Sequence, residues 1–154
     1  MLVRKVMRRK VITVKEEDTL HDVLKKFVKH NISGMPVVRD KKVVGIVTES
    51  DVIRAIDAFL PKIHYDTATG FAVILSALKH GSCFEAARKD IIRTGKLKVK
   101  DFMKKKVITI RADDDLGTAA RIMTRHKVKR LPVVKNKKLV GIIARADLIR
   151  ALGK

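Results

Sequence analysis

The amino-acid sequence predicts an α/β (α+β) fold of two tandem β-α-β-β-α units with a helical insert between them, and three observations predict it. A shift of 96 positions aligns Met7–Ile56 with Met103–Leu152 without a gap, and 20 of the 50 pairs are identical. Repetition of that length makes each copy one structural unit. Within a copy, short β-branched runs alternate with apolar stripes at helical spacing. From Asp57 to about Lys100 the chain has no counterpart in either copy and carries helix signals of its own. Residues 1–60 are therefore assigned to the first repeat, 61–98 to the insert and 99–154 to the second repeat.

In the first repeat, VITV (Val11 to Val14) is a short β-branched strand. The following EEDTL opens a helix in which Leu20, Val23, Leu24, Phe27 and Val28 form one buried stripe. His30 and Asn31 suit its end, a cation-capable residue at the negative pole and one that tolerates the left-handed conformation. MPVVR and VVGIVT read as two strands around the polar turn Asp40–Lys42, and SDVIRAIDAFL as a helix stopped by Pro61. The second repeat follows the same scheme, with Leu116, Ala119, Ala120 and Met123 as its stripe and Asn136 in its turn. In the insert, Ser82 to Glu85 has the S-x-x-E form of a capping box, so a helix is expected from Ser82 to about Thr94, ended by Gly95, with another over Thr67–His80. These are read as extra packing helices; the alternative is a lid or a partner surface.

Composition narrows the function. A chain of 154 residues with 46% hydrophobic residues can bury a core. The apolar part of Thr67–Phe84 is too short to cross a bilayer, and Met1–Lys10 lacks the apolar run of a signal peptide. Cys83 is the only cysteine, so a reducing, cytoplasmic setting is expected. The five histidines fall in no ligand spacing, and no metal is expected. Glutamine is absent, and asparagine occurs only at Asn31 and Asn136, a bias similar to that of proteins from very hot environments. The net charge of +20 is uneven: +6 over residues 1–56, +2 over 57–96 and +12 over 97–154. The second half thus carries most of the field that attracts anions.

The motif VVGIVTESD (Val43 to Asp51) returns as LVGIIARAD (Leu139 to Asp147), with Ala144 and Ala146 in place of Thr48 and Ser50. A strand running into a helix near Glu49 places the Thr48 and Ser50 hydroxyls beside the amides of the first helical turn, a setting that favours phosphate. Asp51 offers a carboxylate to the hydroxyls of a ribose, and Gly45 permits close backbone approach. The alternative is that Gly45 bends a hairpin and Asp51 complements the helix dipole.

Two β-α-β-β-α copies, each with an h-P-V before a turn (Met35-Pro36-Val37, Leu131-Pro132-Val133) and G-h-h-x-x-x-D at a strand-to-helix junction, resemble the CBS domain family, whose paired repeats form a Bateman module. The resemblance implies two sheets packed about a pseudo-two-fold axis, with clefts between them that bind adenine nucleotides or related adenosyl compounds. It implies a ligand role for Ser33, Gly34, Met35 and Pro36 and for Lys129, Arg130, Leu131 and Pro132, with the two basic residues on phosphate. The backbone at Thr13 and Thr109 is implied to face adenine, and Arg145 and Asp147 complete the second site.

The expected function is a non-catalytic regulatory module. It binds AMP, ADP, ATP or an S-adenosylmethionine-like compound, needs no obligatory cofactor, and signals to a protein partner or to its own homodimer. No nucleophile elbow, Walker loop or paired-carboxylate motif points to catalysis. A pI near 10.4 supports a nucleic-acid-binding alternative, although only six residues are aromatic and no DNA-reading motif appears. Of the two sites, the one at Asp51 is expected to be the better, because Ala144 and Ala146 remove two hydroxyls whose bonds to a charged phosphate are each worth roughly 1.5–3 kcal/mol.

Overall fold

The computed structural model describes residues 1–59, 85, 89, 95 and 97–153. A 3-10 turn at Val3–Lys5 precedes α1 (Leu20–His30), the hairpin of β1 (Gly34–Arg39) and β2 (Lys42–Thr48), and α2 (Glu49–Phe59). The second repeat then supplies α3 (Val99–Phe102), β3 (Ile110–Arg111), α4 (Leu116–Arg125), the hairpin of β4 (Arg130–Lys135) and β5 (Lys138–Ala144), and α5 (Arg145–Leu152). The candidate helices over 67–80 and 82–94 lie outside the described residues apart from Glu85 and Lys89, both helical; Gly95 has φ +52°.

Local chemistry sets the ends of the elements. The Asp22 amide donates to the Thr19 hydroxyl at 3.2 Å and the Thr19 amide to the Asp22 carboxylate at 3.0 Å, a capping box that starts α1. The chain leaves α1 through Asn31 at φ 48°, ψ 52°. Leu20, Val23 and Phe27 are buried as expected, but Val28 is 84% exposed. It lies about 100° further round the helix than Phe27, which turns it past the edge of the stripe. Positive φ at Asp40 and Lys41, matched at Asn136 and Lys137, gives both hairpins two-residue turns whose twist suits the strands. The hairpins share one register, Gly34 opposite Thr48 and Arg130 opposite Ala144, and the same bulge after Val37 and Val133.

The expected strand VITV is reduced to a single bridge from Val14 to Val37, and its counterpart ladders with β4 only at Ile110–Arg111. The residues preceding each run explain this, because they cross to the other repeat. Arg8 exchanges two main-chain bonds of 2.9 Å with Ile142, and Lys104 does the same with Ile46. A segment stretched between two hairpins can ladder with its own only at its far end. Val11–Thr13 and Val107–Thr109 are consequently outside any ladder.

The crossing also exchanges core residues. Val3 and Met7 are buried with the second repeat, and Val99 with the first. Gly45 and Gly141 are the seats of the crossing chain. A Cβ at Gly45 would lie 2.5 Å from Met103 Sδ, and one at Gly141 2.5 Å from Met7 Sδ. Gly45 therefore admits a neighbouring segment of the same chain, where close approach to a ligand or a bent hairpin had been expected. The strands run in the order β1-β2-β5-β4-β3, with β2 and β5 meeting only at Lys42 and Lys138, so two similar halves adjoin about a pseudo-two-fold axis.

Candidate functional site

Because each leading segment crosses over, the strand-to-helix junction of one repeat faces the unladdered run of the other. The first cleft, a cavity of about 190 Å³, has Ile46, Thr48, Glu49 and Ser50 on one wall. Lys104, Lys106, Val107 and Ile108 face them, and the loop Lys127–Arg130 closes the end. The second cleft, about 220 Å³, sets Ile142, Ala144 and Asp147 against Arg8, Lys10, Val11 and Ile12, with Asn31–Gly34 at its end. Ten residues of each cleft are counterparts 96 positions apart, but Asp147 lines the second cavity while Asp51 does not line the first. Ser33 and Arg130 line both.

Thr48, Ser50, Lys129 and Arg130 thus meet at the first cleft, and Ser33, Gly34, Arg130 and Asp147 at the second. Met35 and Leu131 are wholly buried in the core, and Pro36 and Pro132 are buried beside them, so these four side chains line neither cavity. They place the strand; they do not present chemistry. Thr13 and Thr109 also stand outside both linings, one position past the runs that do line them, and the Thr13 carbonyl accepts from Lys26 Nζ at 2.7 Å. Arg145 is exposed, and its Nε donates to the Val128 carbonyl at 3.3 Å, so it supplies no charge to the second cavity.

Both motif aspartates are buried, Asp51 at 1% and Asp147 at 5% exposure. One oxygen of Asp51 accepts from the amide and the hydroxyl of Thr48, each at 2.8 Å. Its other oxygen pairs with Arg54, with Lys104 Nζ 3.9 Å away. The Thr48 hydroxyl, expected to meet phosphate, is thus committed to Asp51, and the Glu49 amide donates to the Ser33 carbonyl at 3.1 Å. Asp147 accepts from the Ala144 amide at 2.8 Å, pairs with Arg150, and takes two bonds from Arg8 at 3.1 and 3.2 Å. Burial pushes the Asp147 carboxyl up, but the Ala144 amide and the guanidiniums of Arg150 and Arg8 outweigh it and hold it below the usual carboxylate range.

Arg130 reaches across the interface and donates to the Gly34 carbonyl and the Ser33 hydroxyl, both at 2.5 Å. Burial lowers its pKa, opposed by the carboxylate of Glu49 and reinforced by the charge of Arg8. Sequence reasoning missed Arg8, Lys10, Val11 and Ile12 and their counterparts Lys104, Lys106, Val107 and Ile108. The shared KVIT was legible in both repeats as a strand; what it lacked was any sign of which repeat it would face.

The CBS domain family model matches residues 3–58 and 99–154, the two halves that build these clefts. The chain belongs to the CBS domain family. Protein MJ1426 of Methanocaldococcus jannaschii is 38% identical over 154 residues, covering 99% of this chain and 91% of that protein. The chloroplast protein CBSX2 of Arabidopsis thaliana is 32% identical over 146 residues, 94% of this chain and 59% of that protein. A solved structure of CBSX2 in complex with AMP superposes with a TM-score of 0.69 at 28% identity, covering 99% of this chain and 96% of that one. The CBS domain of a membrane protein from Sphaerobacter thermophilus gives 0.71 at 31% identity, covering 97% and 86%. These relatives are CBS pairs, as this chain is. Among the described residues, no helix is long and apolar enough to cross a membrane, and no group of three metal-ligating side chains forms.

Proposed function

We propose that this CBS pair is a non-catalytic regulatory module that binds an adenosine-containing ligand, AMP, ADP, ATP or an S-adenosylmethionine-like compound, and signals occupancy to its own oligomer or to a protein partner. The pair of clefts carries the proposal: each brings an apolar, unladdered run of main chain from one repeat against a cation-rimmed junction of the other. In the first cleft Ile46, Val107 and Ile108 provide an apolar wall for a base, with unladdered main chain for its polar edge. Lys104, Lys106, Lys129 and Arg130 receive phosphate. Asp51, buried behind Thr48 and outside the lining of that cavity, meets ribose once the wall opens and Arg54, whose side chain is 63% exposed, is exchanged. The AMP complex of CBSX2 supports the ligand class. At about 190 and 220 Å³ both cavities fall short of the roughly 300–1,000 Å³ of ligand sites, so lining side chains must move on binding.

Ile53, Ile149 and Leu152 are 64%, 69% and 81% exposed on α2 and α5, and Ile53 and Ile149 are repeat counterparts. This apolar surface supports a homodimer through the helices. Mass spectrometry of small molecules released from purified protein, followed by calorimetric titration, tests the ligand: binding of at least one of AMP, ADP, ATP or S-adenosylmethionine is expected, and binding of none overturns the proposal. Light scattering that returns a monomer mass at micromolar protein removes the dimer.

One observation favours polyanion binding as a second reading. Lys42 and Lys138 are direct cross-strand partners where the hairpins meet, and Lys41, Lys135 and Lys137 are exposed beside them. Like charges directly opposite are destabilising, and phosphates would relieve them. If this surface binds duplex DNA, log affinity falls with log salt at about −0.9 per phosphate neutralised; loss of all binding at physiological salt reduces it to general charge.

A further inference from the structure

The wall shared by the two clefts is the place where the repeat symmetry breaks most sharply. Arg130 corresponds to Gly34, and the two meet. A Cβ on Gly34 would lie 2.5 Å from the terminal NH1 of Arg130 and 2.9 Å from its Cζ. The first repeat thus has only hydrogen where the second places a guanidinium, and that guanidinium occupies the vacated space, bonded to Gly34 and Ser33. A symmetric pair would bring two arginines to this wall. Here one arginine lines both cavities.

We propose that Arg130 is a single phosphate-reading residue shared by the two clefts, so that an anionic adenosine ligand in one withdraws it from the other and the clefts bind with negative coupling. The proposal rests on the adenosine-ligand reading above and adds a regulatory property to it. A guanidinium grips phosphate through two parallel N–H groups that leave it in one direction. Those of Arg130 are spent on Gly34 and Ser33, so a ligand recruits it by replacing both bonds, and a fork turned into one cleft is absent from the other. The resting bias is set by charge: Glu49 on the first wall attracts Arg130 and Arg8 on the second repels it. The first cleft therefore fills first, and the second binds without its arginine. By linkage, each ligand weakens the other by the same factor.

Calorimetric titration with AMP tests this on four proteins, wild type, Asp51→Ala, Arg130→Gln and the double variant, each checked for folding by circular dichroism. Asp51→Ala disables the first cleft, so Arg130 is never withdrawn, and AMP is expected to bind the second cleft at least about fivefold more tightly than in the second event of the wild type, a gap of about 1 kcal/mol. In the Arg130→Gln background the same substitution leaves second-cleft affinity unchanged within about twofold. If Asp51→Ala does not fold, Ser50→Trp on the exposed wall of the first cleft blocks that cleft and must give the same tightening. Equal second-cleft affinity with the first cleft open or blocked overturns the coupling while the adenosine reading stands. One event in wild type and none in the blocked variants overturns it likewise. No AMP binding by any of the proteins, with another adenosine compound bound at both clefts equally and independently of Arg130, also overturns the coupling; absence of every adenosine ligand removes both proposals.

Discussion

The two clefts share one frame and satisfy its buried aspartate in different ways. At the first, Asp51 is held locally by the Thr48 amide and hydroxyl at 2.8 Å, and the cation that crosses from the other repeat, Lys104, stays 3.9 Å away. At the second, Ala144 offers an amide only, and Arg8, the counterpart of Lys104, gives the other carboxylate oxygen two bonds at 3.1 and 3.2 Å. The second aspartate thus keeps half of the local cap and gains a bonded cross-repeat arginine where the first has only a lysine at 3.9 Å. That changes the physical reason for expecting unequal sites. The hydroxyl matters through the aspartate it satisfies, not through a phosphate it meets. A ribose at the second cleft must displace both bonds of Arg8 as well as the exposed Arg150, whereas at the first it displaces the exposed Arg54 alone.

Removing each aspartate in turn gives the largest expected difference. Two charge-assisted bonds to ribose hydroxyls at roughly 1.5–3 kcal/mol each correspond to a hundredfold or more in affinity. Asp51→Ala is expected to abolish the tighter binding event in a calorimetric titration with AMP or ATP, and Asp147→Ala to leave that event largely intact. Greater damage from Asp147→Ala with the fold preserved would reverse the ranking of the clefts.

The glycine seats test the opposite claim, that the frame beneath the clefts is equivalent. A Cβ at Gly45 or Gly141 meets a methionine sulfur at 2.5 Å in both cases and a main-chain carbonyl at 3.2 or 3.1 Å. The thioether can yield; the carbonyl, fixed by its bond to Ile46 or Ile142, cannot yield far. Gly45→Ala and Gly141→Ala should therefore each cost about 1–3 kcal/mol by denaturant unfolding, and by similar amounts. A silent substitution at one seat beside a costly one at the other would mean that the two crossings are not equivalent.

These contrasts show where sequence reasoning stops. Repeat, hairpins, caps and core stripes depend on residues a few positions apart, and the gapless offset names each residue's counterpart. Which repeat a residue packs against depends on contacts such as Arg8 with Asp147, 139 positions away in the chain, and the offset is silent about them. Arg8, Lys104 and the runs after them were therefore missed as lining residues, while Met35 and Leu131, adjacent in sequence to residues that line the clefts, point into the core. The strand-to-helix motif was legible as a frame. Its hydroxyl was not legible as spent, since Thr48 could be seen beside Asp51 in sequence without showing that their side chains meet.

Exchanging the hydroxyl between the clefts has a smaller expected effect. Thr48→Val keeps the shape and removes one bond to the Asp51 carboxylate, with an expected loss of about 1 kcal/mol in stability. Ala144→Thr restores the missing donor to the Asp147 oxygen that the Ala144 amide bonds, opposite the oxygen held by Arg8, and so lessens the carboxylate's dependence on Arg8. It should bring second-cleft affinity for AMP toward that of the first. If Thr48→Val instead weakens AMP binding and leaves the stability of the free protein unchanged, its hydroxyl touches the ligand directly.

The smallest effect concerns acid. The folded pKa of Asp147 is depressed, so its contribution to stability is fully present above the unfolded value of about 3.9 and is lost as pH falls through the folded value. Arg8 is one of the groups that depress it, and Arg8→Met removes two of its bonds, which raises the folded pKa and moves the loss to higher pH. Because the Arg8 side chain is 53% exposed and screened by water, the difference is expected to stay below about 1 kcal/mol. Several other carboxylates titrate in the same range, including Asp22, held down to about 2 chiefly by the Thr19 amide, so the measurement is the difference between wild type and Arg8→Met in urea unfolding from pH 5 to pH 2. That difference should be largest above pH 4 and shrink toward zero as Asp147 is protonated in both proteins. A difference independent of pH would mean that Arg8 contributes by packing alone, and that the two clefts differ less in electrostatics than their hydrogen bonds imply.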